Sequence, residues 1–189
     1  MKKISLLMAI AVLGTGMLSE VKGEVLNATK SEIKWTGKKI GGTHYGGIEL
    51  IKGELVLDGD RISKGSCILD MTTISNADVE SEEYNQKIVG HLKSEDFFNV
   101  EKYPESTLQI KKSSPFQDNQ ARVSADLTIK GITEPISFDV VRAGSIYTAL
   151  IEVDRSKFDV RYGSKSFFND IGDKAIDDIF TMEVTMFMD

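Results

Sequence analysis

Hydrophobic and polar positions alternate one by one along most of this chain. Between Ala121 and Lys130, the residues Ala121, Val123, Ala125, Leu127 and Ile129 share one parity, and Arg122, Ser124, Asp126, Thr128 and Lys130 share the other. Successive strand side chains point to opposite faces, so a strand with one dry and one wet side is predicted here. Gly131 marks a turn, after which Ile136, Phe138 and Val140 alternate with Ser137 and Asp139 and complete a hairpin. The same period runs through Ile33 and Trp35, through Leu108 and Ile110 after the turn at Tyr103-Pro104, and through Ala149, Ile151 and Val153. A last strand carries Ile176, Phe180, Met182, Val184, Met186 and Met188 on one parity.

Two segments depart from this rhythm. Ile48 and Leu50 have one parity and Leu55 and Leu57 the other, and a bulge near Gly53 is the expected repair. Cys67, Leu69 and Met71 then form the dry side of the next strand. Between Ser81 and Leu92 the spacing turns helical, with Tyr84, Ile88, His91 and Leu92 recurring and Glu80, Glu82 and Glu83 at the N-terminal end, where acids complement the helix dipole. Gly90 weakens that pattern. The expectation is an all-β protein: a closed antiparallel eight-stranded barrel, with one short inserted helix over a mouth. Closure removes exposed edges, and a barrel of about eight strands either fills its interior or holds one small ligand. A two-sheet sandwich gives the same alternation.

The N-terminus adds a compartment. Lys2 and Lys3 precede an apolar run from Ile4 to Leu18, and Val21-Lys22-Gly23 offers a cleavage site, the order of a secretory signal peptide. The run is short of the ~18 residues that span a bilayer. The expected organisation is a signal peptide over 1–23 and one domain over 24–189, exported to the periplasm. Cleavage near Gly23 makes a formal charge of −6 more negative by two. An acidic chain argues against nucleic acid and against anionic membrane surfaces as partners. Cys67 is the single cysteine, so no internal disulfide forms.

Candidate chemistry is sparse. His44 and His91 are the only histidines, and no His-x-x-x-His or Cys-x-x-Cys spacing points to a metal. No Gly-x-Ser-x-Gly elbow and no Gly-Lys-[Ser/Thr] phosphate loop occurs. The glycines around His44 are read as permitting tight backbone geometry. For either histidine three roles stay open: a buried structural imidazole, a contact to a ligand's polar head, or a general base.

Five strings in order carry a family resemblance. His91-Leu92-Lys93-Ser94-Glu95-Asp96-Phe97-Phe98-Asn99-Val100-Glu101-Lys102-Tyr103-Pro104 resembles the His-Leu-x-Ser-x-Asp-Phe-Phe-Asp-Val-x-x-Tyr-Pro signature of the YceI-like proteins, with Asn99 in place of the usual acid. Gly42-Thr43-His44-Tyr45-Gly46 resembles the family's early Gly-x-His-x-Gly element, and Leu127-Thr128-Ile129-Lys130-Gly131-Ile132-Thr133 its Leu-Thr-Ile-Lys-Gly-Val-Thr hairpin. Arg155-Ser156-Lys157-Phe158-Asp159-Val160 and Ile171-Gly172-Asp173 resemble two late ones, with Asp159 where glycine is common. The resemblance covers about Glu24 to Asp189 and implies a lipocalin-like barrel whose apolar interior takes a polyisoprenoid or similar long-chain lipid.

On that expectation the dry faces become a lipid-binding lining. Trp35, His44, Ile48, Leu69 and Met71 supply it from the first half, with Ile88, Leu92 and Phe97 from the helical region. Leu127, Ile129, Phe138, Val140, Phe158, Phe180 and Met182 supply it from the second half. Flexible methionines on the last strand suit variable apolar partners. The implied function is a binding or carrier protein that catalyses nothing and uses neither metal nor other cofactor. Its partners would be the lipid, a second copy in a homodimer, and a membrane or membrane protein for lipid exchange. The alternative is an enzyme acting on such a lipid with His44 or His91 as general base.

Overall fold

The computed structural model describes residues 21–170 and 172–189. The charged start and apolar run expected of a signal peptide lie in residues 1–20, outside them. The strands are β1 (Val21–Val25), β2 (Glu32–Lys39), β3 (Gly42–Gly47), β4 (Glu49–Asp58), β5 (Arg61–Asp70), β6 (Glu105–Ser113), β7 (Gln120–Ile129), β8 (Ile132–Ala143), β9 (Ile146–Asp154) and β10 (Ile179–Phe187), with α1 (Glu82–Lys93) between β5 and β6. They form a single antiparallel sheet of ten strands in the order β1-β4-β5-β6-β7-β8-β9-β10-β2-β3.

This corrects the closed eight-stranded barrel: the order is open, and the sheet curls into a half-barrel. The two additional strands are those without an alternating apolar signal. β3 is the glycine-rich segment around His44, and β1 exposes all its residues but Glu24. The expected cleavage point near Gly23 falls inside β1, where Gly23 pairs with Val56. Leu26, just after β1, bridges Met188, just beyond β10.

Elsewhere parity sets the faces as read. In β7 Ala121, Val123, Ala125 and Ile129 are buried and Arg122 is exposed. Lys130 and Gly131 both take positive φ, 51° and 74°, the two-residue turn whose twist suits a β7–β8 hairpin. In β4 the register slips between Leu50 and Lys52, so Ile51 is the extra residue and the dry parity changes to Gly53, Leu55 and Leu57. Gly53 lies two residues on because Leu26 packs against it: a Cβ there would sit 2.0 Å from Leu26 Cδ1.

The outer edge of β3 is capped. Ser75 N–H donates to Gly47 O (3.0 Å) and Ala77 N–H to Tyr45 O (2.8 Å), while Tyr45 N–H donates to Asp78 Oδ1 (2.9 Å). An unpaired edge invites pairing with another chain, and this segment covers it.

Helix α1 begins after Ser81, carries Glu82 and Glu83 in its first turn and His91 and Lys93 in its last, and so matches its dipole at both ends. Leu92 is buried and Ile88 partly so, but Tyr84 is 62% exposed beneath Lys87 and does not join the apolar face. The following turn buries Phe97 and Phe98. Asn99 stands there at φ 48°, in the left-handed region that asparagine tolerates better than most residues. Asp159 at φ 57° makes the same accommodation. Both departures from the family strings fall on left-handed backbone.

Candidate functional site

The inner faces of the curled sheet line a cavity of about 180 Å³. Its walls combine Ile33 and Trp35 of β2, Leu55 of β4, Leu69 of β5, Leu108 and Ile110 of β6, and the inward residues of β7 to β10, with Leu92, Phe97 and Phe98 from the helical region. Several of the few polar groups on the lining already have partners. Trp35 Nε1 donates to Ser75 O (3.0 Å), and Ser106 Oγ donates to Thr128 O (2.8 Å). Buried polar groups that are satisfied inside the protein make no demand on a ligand, so the interior offers contact and desolvation. Cys67 belongs to the same wall, and burial pushes its thiol up to about 11 against a lowering hydrogen bond from the Leu108 backbone.

At one end of the cavity Arg155 is 2% exposed yet fully engaged. Its Nε donates to Asp177 O (3.0 Å), Nη1 to Val160 O (3.1 Å) and Tyr162 O (2.7 Å), and Nη2 to Ile176 O (3.0 Å). Asp178 Oδ1 lies 3.3 Å from Nη2, and the guanidinium sits 5.5 Å from the Phe97 ring centroid. One side chain thereby ties the segments around Val160 and Asp177 to the turn after α1. The strings around Arg155 and Phe97 marked both residues, but nothing in the sequence announced that they meet.

Twelve of the fifteen residues expected to line the interior do so: Trp35, Ile48, Leu69, Met71, Leu92 and Phe97 from the first half, and Leu127, Ile129, Phe138, Val140, Phe180 and Met182 from the second. Three stand elsewhere. His44 is drawn outward by Asp78, whose Oδ2 lies 2.8 Å from its Nδ1. Ile88 packs against the core from the helix without reaching the cavity, and Phe158 is buried within its 3-10 turn. At Asp78 burial opposes ionisation, but hydrogen bonds from Tyr45 N–H, His44 and Asn76 outweigh this and hold its carboxyl below the ordinary range.

His91 is also outside the lining. Its ring meets Tyr162 edge-on at 4.2 Å between centroids and Phe97 at 5.7 Å, and its Nε2 is buried without a hydrogen-bond partner. The residues missed as lining, among them Leu26, Leu55, Ile62, Ile151, Val153 and Met186, belong to dry faces or their neighbours. Parity places a side chain indoors, but only the curl of the sheet says which indoor residues face empty space.

Comparison with known proteins agrees with this architecture. The structure resembles BcnA of Burkholderia cenocepacia (TM-score 0.67, 20% identity, covering 85% of this chain and 98% of that one). It also resembles a polyisoprenoid-binding domain from Saccharophagus degradans (0.60, 13%, 88% and 97%). A third neighbour is the YceI protein of Campylobacter jejuni (0.53, 18%, 100% and 99%). No curated protein matches the sequence itself. The YceI-like domain model matches residues 25–187, and the chain belongs to the YceI-like family.

Proposed function

We propose that this protein binds the hydrocarbon chain of a long apolar lipid of isoprenoid type inside the half-barrel and carries it through the periplasm after cleavage near Gly23. The observation that carries the reading is the cavity itself: an apolar interior, fed by nearly every strand, in which Trp35, Ser106 and Arg155 spend their donors on backbone carbonyls. Burying each methylene there yields roughly 0.8 kcal/mol, so a chain can be held firmly without polar recognition. The family, and the polyisoprenoid-binding domain among its structural neighbours, support the ligand class. Exchange with a membrane or a membrane-bound partner completes the carrier's task.

Catalysis on such a lipid would need a base beside it, and His44 and His91 both lie outside the cavity lining. The test is mass spectrometry of an organic extract of protein purified from the exported fraction. A stoichiometric lipid with a long apolar chain is the expected result. An empty protein that also fails to take up an added polyprenol would end the carrier reading.

A further inference from the structure

The ladder between β8 and β9 is only partial. Val140–Ala143 pair with Ile146–Ala149, and there the pairing ends. β8 continues along β7 from Ile132 to Asp139, and β9 continues along β10 from Leu150 to Asp154, but these two stretches do not pair with each other. Pro135 lies in the unpaired stretch of β8, in keeping with an edge strand, since proline has no N–H to give to a ladder. On the outer face a groove follows this seam, bordered by Ser137, Asp139, Leu150, Glu152 and Glu183. Phe138, Thr148, Ala149 and Val184 border both this groove and the interior cavity.

Size makes the seam matter. Sites that hold whole drug-sized ligands measure about 300 to 1,000 Å³, whereas an engineered apolar cavity of about 150 Å³ holds only a benzene-sized guest. At about 180 Å³ the interior accommodates a segment of a long lipid, and the rest needs a way out. The seam provides one without breaking a ladder. Leu150, 61% exposed on the outer face beside it, offers apolar surface to an emerging chain.

The groove also has a sign. Arg122 is occupied: Nη1 donates to Asp139 Oδ2 (3.1 Å) and Nη2 to Ser137 O (3.1 Å). Among the described residues Glu152 and Glu183 form no ion pair, and Lys34, which stands opposite Glu183 in the β2–β10 ladder, is paired with Glu32, so the groove stays acidic. We infer that the β8–β9 seam is a lateral portal of the cavity, and that a bound lipid leaves its polar end in this groove, which favours an uncharged head over a phosphate. This rests on the carrier reading and adds to it the route and the head-group class.

Two measurements test it, with geranylgeraniol and geranylgeranyl monophosphate as probes. Ser137 and Glu152 are the residues that a continued ladder would bring face to face, both on the outer side. In a Cys67→Ala background, oxidising Ser137→Cys with Glu152→Cys should slow release of bound geranylgeraniol by about tenfold or more, with recovery on reduction. Separately, the wild-type protein should bind the alcohol more tightly than the phosphate, and Glu152→Lys with Glu183→Lys should narrow or reverse that preference by about tenfold. The charge-reversed variant keeps the proposal open to refutation whether or not the cysteine pair oxidises. Equal release rates in the oxidised and reduced forms, or a preference indifferent to charge reversal, would overturn the portal while leaving the carrier reading intact. Failure of the wild-type protein to bind either probe would overturn both.

Discussion

The carbonyl oxygen of Ser75 occupies the space that a side chain on Gly46 would need, since a Cβ there would lie 1.8 Å away. Backbone cannot yield that distance, so Gly46→Ala has to unlatch the segment that caps β3. A cost of about 3 kcal/mol is expected in urea unfolding, in the range of overpacked buried sites. Gly90→Ala is the matched control, because nothing lies within 4 Å of a Cβ built there. In the helix it should stabilise by about 0.5 to 1 kcal/mol. Equal effects from the two substitutions would contradict the close approach.

The same cap predicts an acid-sensitive contribution. The Asp78 carboxyl is held below its ordinary range by Tyr45 N–H, His44 and Asn76, which outweigh the opposing effect of burial. A depressed folded-state value contributes stability that is fully present above the unfolded value of about 3.9 and is lost as pH falls through the folded one. Stability measured from pH 6 downward should therefore decline more steeply below about pH 4 in the wild-type protein than in Asp78→Asn. Parallel curves would remove Asp78 from the account.

Cys67 should behave as an inert thiol. With its ionisation pushed up to about 11 by burial, almost no thiolate exists at pH 8, and labelling has to wait for the sheet to open. Reaction with a thiol reagent should follow the global unfolding rate as urea is raised. Rapid labelling of the native protein would show that the cavity wall opens locally.

Leu127 and Thr128 separate cavity from solid core on a single strand. Leu127 lines the cavity, whereas Thr128 Oγ1 lies on the other face, 2.8 Å from Thr133 Oγ1. Leu127→Trp should fold with a melting temperature lowered by a few degrees, equivalent to about 1 kcal/mol, and should retain less lipid than the wild type. Thr128→Trp should retain as much lipid as the wild type. A paired melt and lipid quantification decides the matter: if Leu127→Trp fails to fold while lipid-free wild type stays stable, the interior has no room for a ligand.

Much of the architecture was legible because a strand's faces are a local property. Parity in β7 and β8, the change of parity across Ile51, and the turn at Lys130 and Gly131 each depend on a few neighbouring residues, so the sequence by itself determined the all-β class, the hairpin and the bulge. The helix was equally local, apart from Tyr84, whose spacing fitted the apolar face while its position left it in water. What alternation does not encode was decided only by the tertiary structure. β1 and β3 have almost no buried side chains of alternating type, so their place in the sheet comes from backbone partners far along the chain. His44 finds Asp78 across 34 residues. Arg155 finds Phe97 through the curl of the whole sheet, and the β8–β9 seam exists because two strands with ordinary patterns diverge in space. A dry face records only that water is excluded. Whether the excluded space holds another side chain or a ligand depends on curvature, which is summed over every strand pair and written in no single one.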